Sequence, residues 1–213
     1  MIPEIKESLA KNDIIGLVIP DIDYDEILID VAGTVSKEYE KILYLSVSKS
    51  YDELMREFTE NKIDADRFLF IDCITGTSKD VQSAKNCVYV SSPKAMDEMH
   101  RAILDLLREH KINLILIDSP FALLMYRERM DVLKFIHLLV TKLTFLECKS
   151  IIPFQKESSG PVRRSIEMFV DATVQISGGN SQGAGLRLNT TANINEMILL
   201  FRKISWSIQL RMT

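Results

Sequence analysis

The chain reads as α/β, a mostly parallel sheet layered between helices, on three observations. Seven short apolar runs are separated by longer stretches along its 213 residues. Several of those runs are apolar at every position, as a strand covered on both faces must be. The stretches between them repeat apolar residues at steps of three and four, the period of a helix with one buried stripe. Strands alternating with helices pair in parallel through crossover connections. With 46% hydrophobic and 26% charged residues, the composition is that of a globular chain. At about 150 residues per domain, one domain over residues 1–213 is the simplest organisation.

Each element has its own local signal. "IPEIKESL" opens the chain and precedes the first run, "IIGLVIP" at 14–20. The acidic turn "DIDYD" leads into a helix over 24–38, whose first turn those carboxylates would cap. "KILYLSV" (41–47), "RFLFIDC" (67–73), "CVYVS" (87–91), "NLILIDS" (113–119), "SIIPF" (150–154) and "DATVQIS" (171–177) supply the remaining strands. Met96, Met99, Ile103, Leu106 and His110 mark one helical stripe, and Val132, Ile136, Leu139, Leu143 and Leu146 another. From 171 to 203 the pattern changes, with "LRLNTT" and "EMILLFR" beyond the glycine-rich "SGGNSQGAG", and predicts antiparallel strands joined by turns at one sheet edge. Ile204, Trp206, Ile208 and Leu210 then alternate with polar residues, a strand that pairs within the domain or docks on a neighbouring subunit.

Charge and cysteine content exclude several function classes. The 26 basic and 30 acidic residues leave a net charge of −4, so nucleic acid and anionic membrane surfaces are not expected partners. No apolar run approaches the roughly 18 residues that cross a bilayer, and the charged opening lacks a leader's apolar stretch, which predicts a cytosolic protein. Cys73, Cys87 and Cys148 are odd in number and far apart, which fits core packing and neither a disulfide framework nor a metal site.

The sharpest local signal is "LILIDSP", where an apolar run ends in Asp118 and Ser119. An Asp at the carboxyl end of a parallel strand can face a ligand or hold a hydrated Mg²⁺. Alternatively it caps a helix starting near Pro120, and the segment alone favours that reading. Asp21, Asp23 and Asp25 could converge with Asp118 on a cation, but the spacing lacks a calcium loop's glycine and terminal acid, leaving a solvated acidic turn as the reading preferred. His100, His110 and His137 have no triad or metal spacing. The glycine-rich stretch is a turn before it is an anion nest. Arg163 with Arg164, and Arg202 with Lys203, are basic pairs without a stacking platform.

In order and spacing these segments resemble the RecA-like ATPases, and within them the KaiC-like (RadA-related) domains of archaea and bacteria. "KILYLSVSKSYDELM" resembles that family's second strand and helix, "LLREHKINLILIDSPFALL" its Walker B strand and corner, "VLKFIHLLVTKLTFLECKSII" the next helix and strand, and "FVDATVQIS" a late strand. The resemblance implies a three-layer RecA-like domain with a nucleotide at the strand ends and a tendency to self-associate. Asp118, Ser119, Ser48 and Lys49 are the positions it assigns to the ligand. Two departures argue against ATP chemistry. "IPDIDYDEILID" stands where a phosphate loop would be, with neither its glycines nor its lysine, and Ser48 and Lys49 replace the two acids that activate water. The expectation is therefore a non-hydrolysing homologue acting as a regulatory or binding module. It has no catalytic residue, metal or cofactor, ATP with Mg²⁺ being disfavoured. Its partners would be other copies of itself or another protein. The alternative is a nucleotide binder or ATPase refitted with Lys49, Asp118 and the acidic turn.

Overall fold

The computed structural model describes residues 3–77, 84–157 and 160–176. Seven strands form one sheet: β1 (Ile14–Ile19), β2 (Ile42–Ser46), β3 (Phe68–Asp72), β4 (Cys87–Tyr89), β5 (Leu114–Ile117), β6 (Lys149–Gln155) and β7 (Ala172–Gln175). Their order is β4-β3-β2-β5-β6-β1-β7, and all six pairings are parallel. The seven apolar runs are thus the seven strands, and every residue of β1, β2, β3 and β5 is buried.

Helices α1 (Pro3–Lys11), α2 (Tyr24–Glu38) and α3 (Tyr51–Glu60) pack their apolar stripes on one face, with Leu28, Val31, Val35, Leu54 and Phe58 against Leu17, Tyr44 and Phe70. Helices α4 (Met96–Glu109), α5 (Arg129–Phe145) and α6 (Gly160–Glu167) cover the other, with Met99, Ile103, Ile136, Leu143 and Ile166 against Val18, Leu45 and Ile117. The result is the three-layer arrangement. α3 has the most complete start: Ser50 accepts from the Glu53 amide while the Glu53 carboxylate accepts from Ser50 N, which satisfies two end donors at once.

Four expectations are corrected. Pro120–Met125 is a 3-10 helix rather than an α-helix. His110 and Leu146, assigned to stripes, are C-cap residues exposed to solvent because each helix has already ended. Asp23 precedes α2 without a side-chain capping bond. β7 joins the sheet in parallel beside β1, because α6 provides the crossover that an antiparallel hairpin would not need. The rest of the expected antiparallel extension, the glycine-rich stretch and the 204–213 strand lie outside the described residues. Among the described residues no helix is long and apolar enough to cross a membrane.

Candidate functional site

Adjacent parallel strands whose following segments leave on opposite faces open a crevice at their carboxyl ends. Among the described residues this sheet has two such places. After β2 the chain enters α3 on one face, whereas after its neighbour β5 it runs toward α5 on the other. After β1 it enters α2, and after its neighbour β6 it enters α6.

Asp118 lies at the first crevice and is 1% exposed. Its Oδ1 accepts from Val47 N at 2.9 Å. Its Oδ2 meets Ser48 N at 3.1 Å, Ser48 Oγ at 2.7 Å and Ser46 Oγ at 2.7 Å. Asp118 therefore does not cap the segment after it, as the "DSP" corner suggested. It reaches sideways and holds the end of β2, because the unpaired amides available to it are those of the β2–α3 turn. Ser46 Oγ also lies 2.6 Å from the Lys49 carbonyl, and one hydroxyl proton cannot serve two acceptors. Either Ser46 donates to Asp118, or Asp118 carries a proton and Ser46 donates to the Lys49 carbonyl. Burial pushes the Asp118 carboxyl above its usual range, although the bonds from Val47, Ser46 and Ser48 pull the other way.

Tyr24, the first residue of α2, spans the edge above this carboxyl: its hydroxyl donates to the Asp118 carbonyl at 2.6 Å. Burial, reinforced by Asp118, raises the phenol's pKa. Ser119 is buried beside Tyr24 and makes no capping bond to the 3-10 helix after it. The connection between β1 and α2 is only Pro20 to Asp23, with no glycine. At the second crevice, Asp21 N donates to Glu157 Oε2 at 2.9 Å and Glu157 N donates to Asp21 Oδ1 at 3.1 Å. Both crevices are thus bridged by the chain's own groups.

Lys49 is not a solvated strand-end lysine. Its ammonium lies 2.6 Å from Glu57 Oε1 and 3.3 Å from Asp25 Oδ1, with the side chain 19% exposed. Burial lowers its pKa, but the hydrogen bond to Glu57 and the Asp25 charge outweigh that and leave it raised. Of the residues singled out in the sequence, Asp118, Ser119, Ser48 and Lys49 come together at this edge with Asp25. Asp21 is engaged with Glu157 instead. Among the described residues no group of three or more His, Cys, Asp or Glu side chains is placed to hold a metal. A cleft of about 290 Å³ lies beside Lys49, lined by Ser48, Lys49, Glu53, Arg56, Glu57 and Glu60.

Sequence reasoning passed over Asp72, at the end of β3 and fully buried. Its Oδ1 accepts from Ile74 N at 2.7 Å and Thr75 N at 2.9 Å, and its Oδ2 from Tyr51 N at 2.8 Å. Thr75 Oγ1 also donates to Oδ2. The signal was present, since "FLFID" repeats the pattern of "LILID". The β2–α3 turn is therefore gripped from both neighbouring strands, by Asp118 on one side and Asp72 on the other. The remaining candidates pack: His100 edges onto Phe135, His137 stacks on Phe169, and Cys73 and Cys148 are buried free thiols. Cys87 is free and half-buried, and burial pushes it up to about 12.

No model of a known protein family matches this chain, and no curated protein does. Its fold is similar to that of a KaiC-like protein from the hyperthermophilic archaeon Pyrococcus horikoshii OT3. The two superpose with a TM-score of 0.58 over 83% of this chain and 74% of the other, at 14% identity. The likeness establishes a shared RecA-type fold.

Proposed function

We propose that the chain is a non-hydrolysing relative of the KaiC-like ATPases that works as a regulatory or binding module. The observation that carries this reading is that its own side chains bridge the strand-end edge. A phosphate site of the RecA type needs successive backbone amides from a glycine-rich loop and a lysine free to meet phosphate. Here the connection is four residues long, Asp21 and Asp23 bring negative charge to it, and the nearby Lys49 is engaged by Glu57 and Asp25. Both Asp118 oxygens already meet protein donors, so the position that would hold hydrated Mg²⁺ is taken. ATP with Mg²⁺ does not fit these residues, and no hydrolytic step is assigned to them.

The test combines ATP turnover with thermal shift. The expected result is Mg²⁺-dependent turnover at background and no rise in melting temperature with ATP or ADP. Turnover that disappears in Asp118→Asn overturns the reading. A second reading, a refitted nucleotide site, rests on the cleft beside Lys49, where Lys49 and Arg56 are the cations and the buried Glu57 Oε2, without a hydrogen-bond partner, could accept from a ligand hydroxyl. Stabilisation by nucleotide that Lys49→Met abolishes would establish it, since binding to the native state raises stability by mass action. The resemblance also carries self-association, which sedimentation at micromolar concentration tests.

A further inference from the structure

α5 is apolar on more sides than its place in the fold accounts for. Its inner face, with Val132, Ile136, Leu139 and Leu143, is buried on the sheet. Its outer face carries Met130, Leu138 and Phe145 at 56%, 60% and 70% exposure. The neighbouring helix in the same layer differs. α4 turns Asp97, Arg101, Asp105 and Arg108 outward and exposes no large apolar side chain. An ordinary solvated face looks like α4. A helix that carries exposed large apolar side chains among its polar ones, as α5 does with Met130, Leu138 and Phe145 beside Lys134, Thr141 and Lys142, presents a seam that a partner can cover, and among the described residues nothing covers those three side chains.

We propose that the outer face of α5 docks an acidic amphipathic helix of a partner protein. Met130, Lys134, Leu138, Thr141 and Phe145 succeed one another at steps of four, four, three and four, a straight seam along the exposed side. That spacing is the one a second helix laid alongside reads with its own apolar positions. The charge around the seam fixes the partner's sign. Lys134 lies within it and Lys142 beside it, and the acid on the same helix, Asp131, is engaged by Arg127 at 3.5 Å. Lys142 lies over the Phe145 ring at 5.8 Å, and Lys134 has no ion pair among the described residues. Residues 177–213 are the wrong occupant by charge, with Arg187, Arg202, Lys203 and Arg211 against Glu196 alone. A second copy pairing α5 on α5 would set lysine against lysine. The inference does not depend on whether the strand-end edge takes a nucleotide.

The experiment uses the full chain and a fluorescent, designed helical peptide of about 18 residues, long enough to hold a helix, with a leucine seam flanked by glutamates. A control peptide has lysine at every glutamate. The acidic peptide should bind saturably, more weakly as salt rises, and the lysine peptide should not. Leu138→Asp and Lys134→Glu should each weaken binding about tenfold or more with the melting temperature unchanged, since both side chains are exposed. Absence of saturable binding, equal binding of the two peptides, or unchanged affinity in both variants overturns the proposal. So does self-association of the native chain that Leu138→Asp abolishes, which would make a second copy the occupant. Peroxide oxidation of Met130 in the monomer as slow as that of buried Met99 overturns it as well, because the chain's own residues would then cover the face.

Discussion

β3 and the β5 segment both run through apolar residues into Ile-Asp, yet the two carboxylates serve different ends. Asp72 answers its own backbone: the amides two and three residues on, plus the first amide of α3. The Asp118 carboxyl turns away from its own downstream residues and bridges to the neighbouring strand, taking two amides and facing two serine hydroxyls. The balance of donors differs. Asp72 meets three backbone N–H groups and one hydroxyl, that of Thr75. Asp118 meets two backbone N–H groups and two serine hydroxyls, and a hydroxyl can turn and accept where a backbone N–H cannot. Asp72 is chiefly a fixed turn element, Asp118 a bridge between strands with more partners that can readjust.

Truncating each residue should separate the two roles, with the larger loss at Asp72. Asp72→Ala orphans three backbone amides, and at about 1–3 kcal/mol per buried donor left unmade, discounted for partial exposure, stability should fall by about 2–4 kcal/mol. Asp118→Ala orphans two amides and lets both serines turn, while removing a buried carboxyl that burial already penalises. A loss of about 1–2 kcal/mol is expected. Chemical denaturation of both variants measures the order, and a larger loss at Asp118 would break the comparison.

Lys49→Met tests the same turn from its outer side. Its ammonium ties the turn to Glu57 and Asp25, and replacing it leaves a half-buried Glu57 carboxylate unpaired. Partly exposed pairs are modest, so a loss of about 1 kcal/mol is expected. Raising salt should shrink the difference between the variant and the native protein, because screening weakens the pair that only the native protein has. A difference that salt leaves untouched would place the effect in packing of the lysine stem.

The strands and helices were legible because each is encoded locally. "LILI" and "IIGLVI" are apolar throughout and lie buried throughout, and the stripe of Met96, Met99, Ile103 and Leu106 is the buried face of α4. Asp118, Ser119, Ser48 and Lys49 were legible as a set through the resemblance, which aligns the ends of strands far apart in sequence. Their partners were not. Nothing near Asp118 in the chain indicates that its donors are Ser46, Val47 and Ser48, seventy or more residues away, and nothing near Lys49 names Asp25. Asp72 was missed because an Asp in a strand-end turn is too common a signal to single out. The segment Pro120–Met125 was misread because Ser-Pro after Asp opens a 3-10 helix as readily as an α-helix.

The smallest expected change in stability is the most diagnostic of the bridge. Asp118→Asn keeps the shape of the protonated carboxyl: its carbonyl can accept from Val47 N and its amide can donate to Ser46 Oγ, leaving the weaker 3.1 Å bond from Ser48 N as the main loss. At neutral pH the cost should be about 0.5 kcal/mol or less. The pH profile should change more. Asp118 binds its proton more tightly in the folded chain than in the unfolded one, its folded pKa being raised by burial. Below the unfolded carboxyl's ordinary value, both states are protonated and the full stability is present. As pH rises from there toward the folded value, only the native state holds the proton, and stability falls; above the folded value it is level again. Asparagine carries no titrating proton, so denaturation midpoints measured from pH 4 upward should lose this downward component in Asp118→Asn. A variant whose pH profile parallels the native protein's would mean that Asp118 is ionised in the fold, with Ser46 donating to it and the Lys49 carbonyl left to other donors.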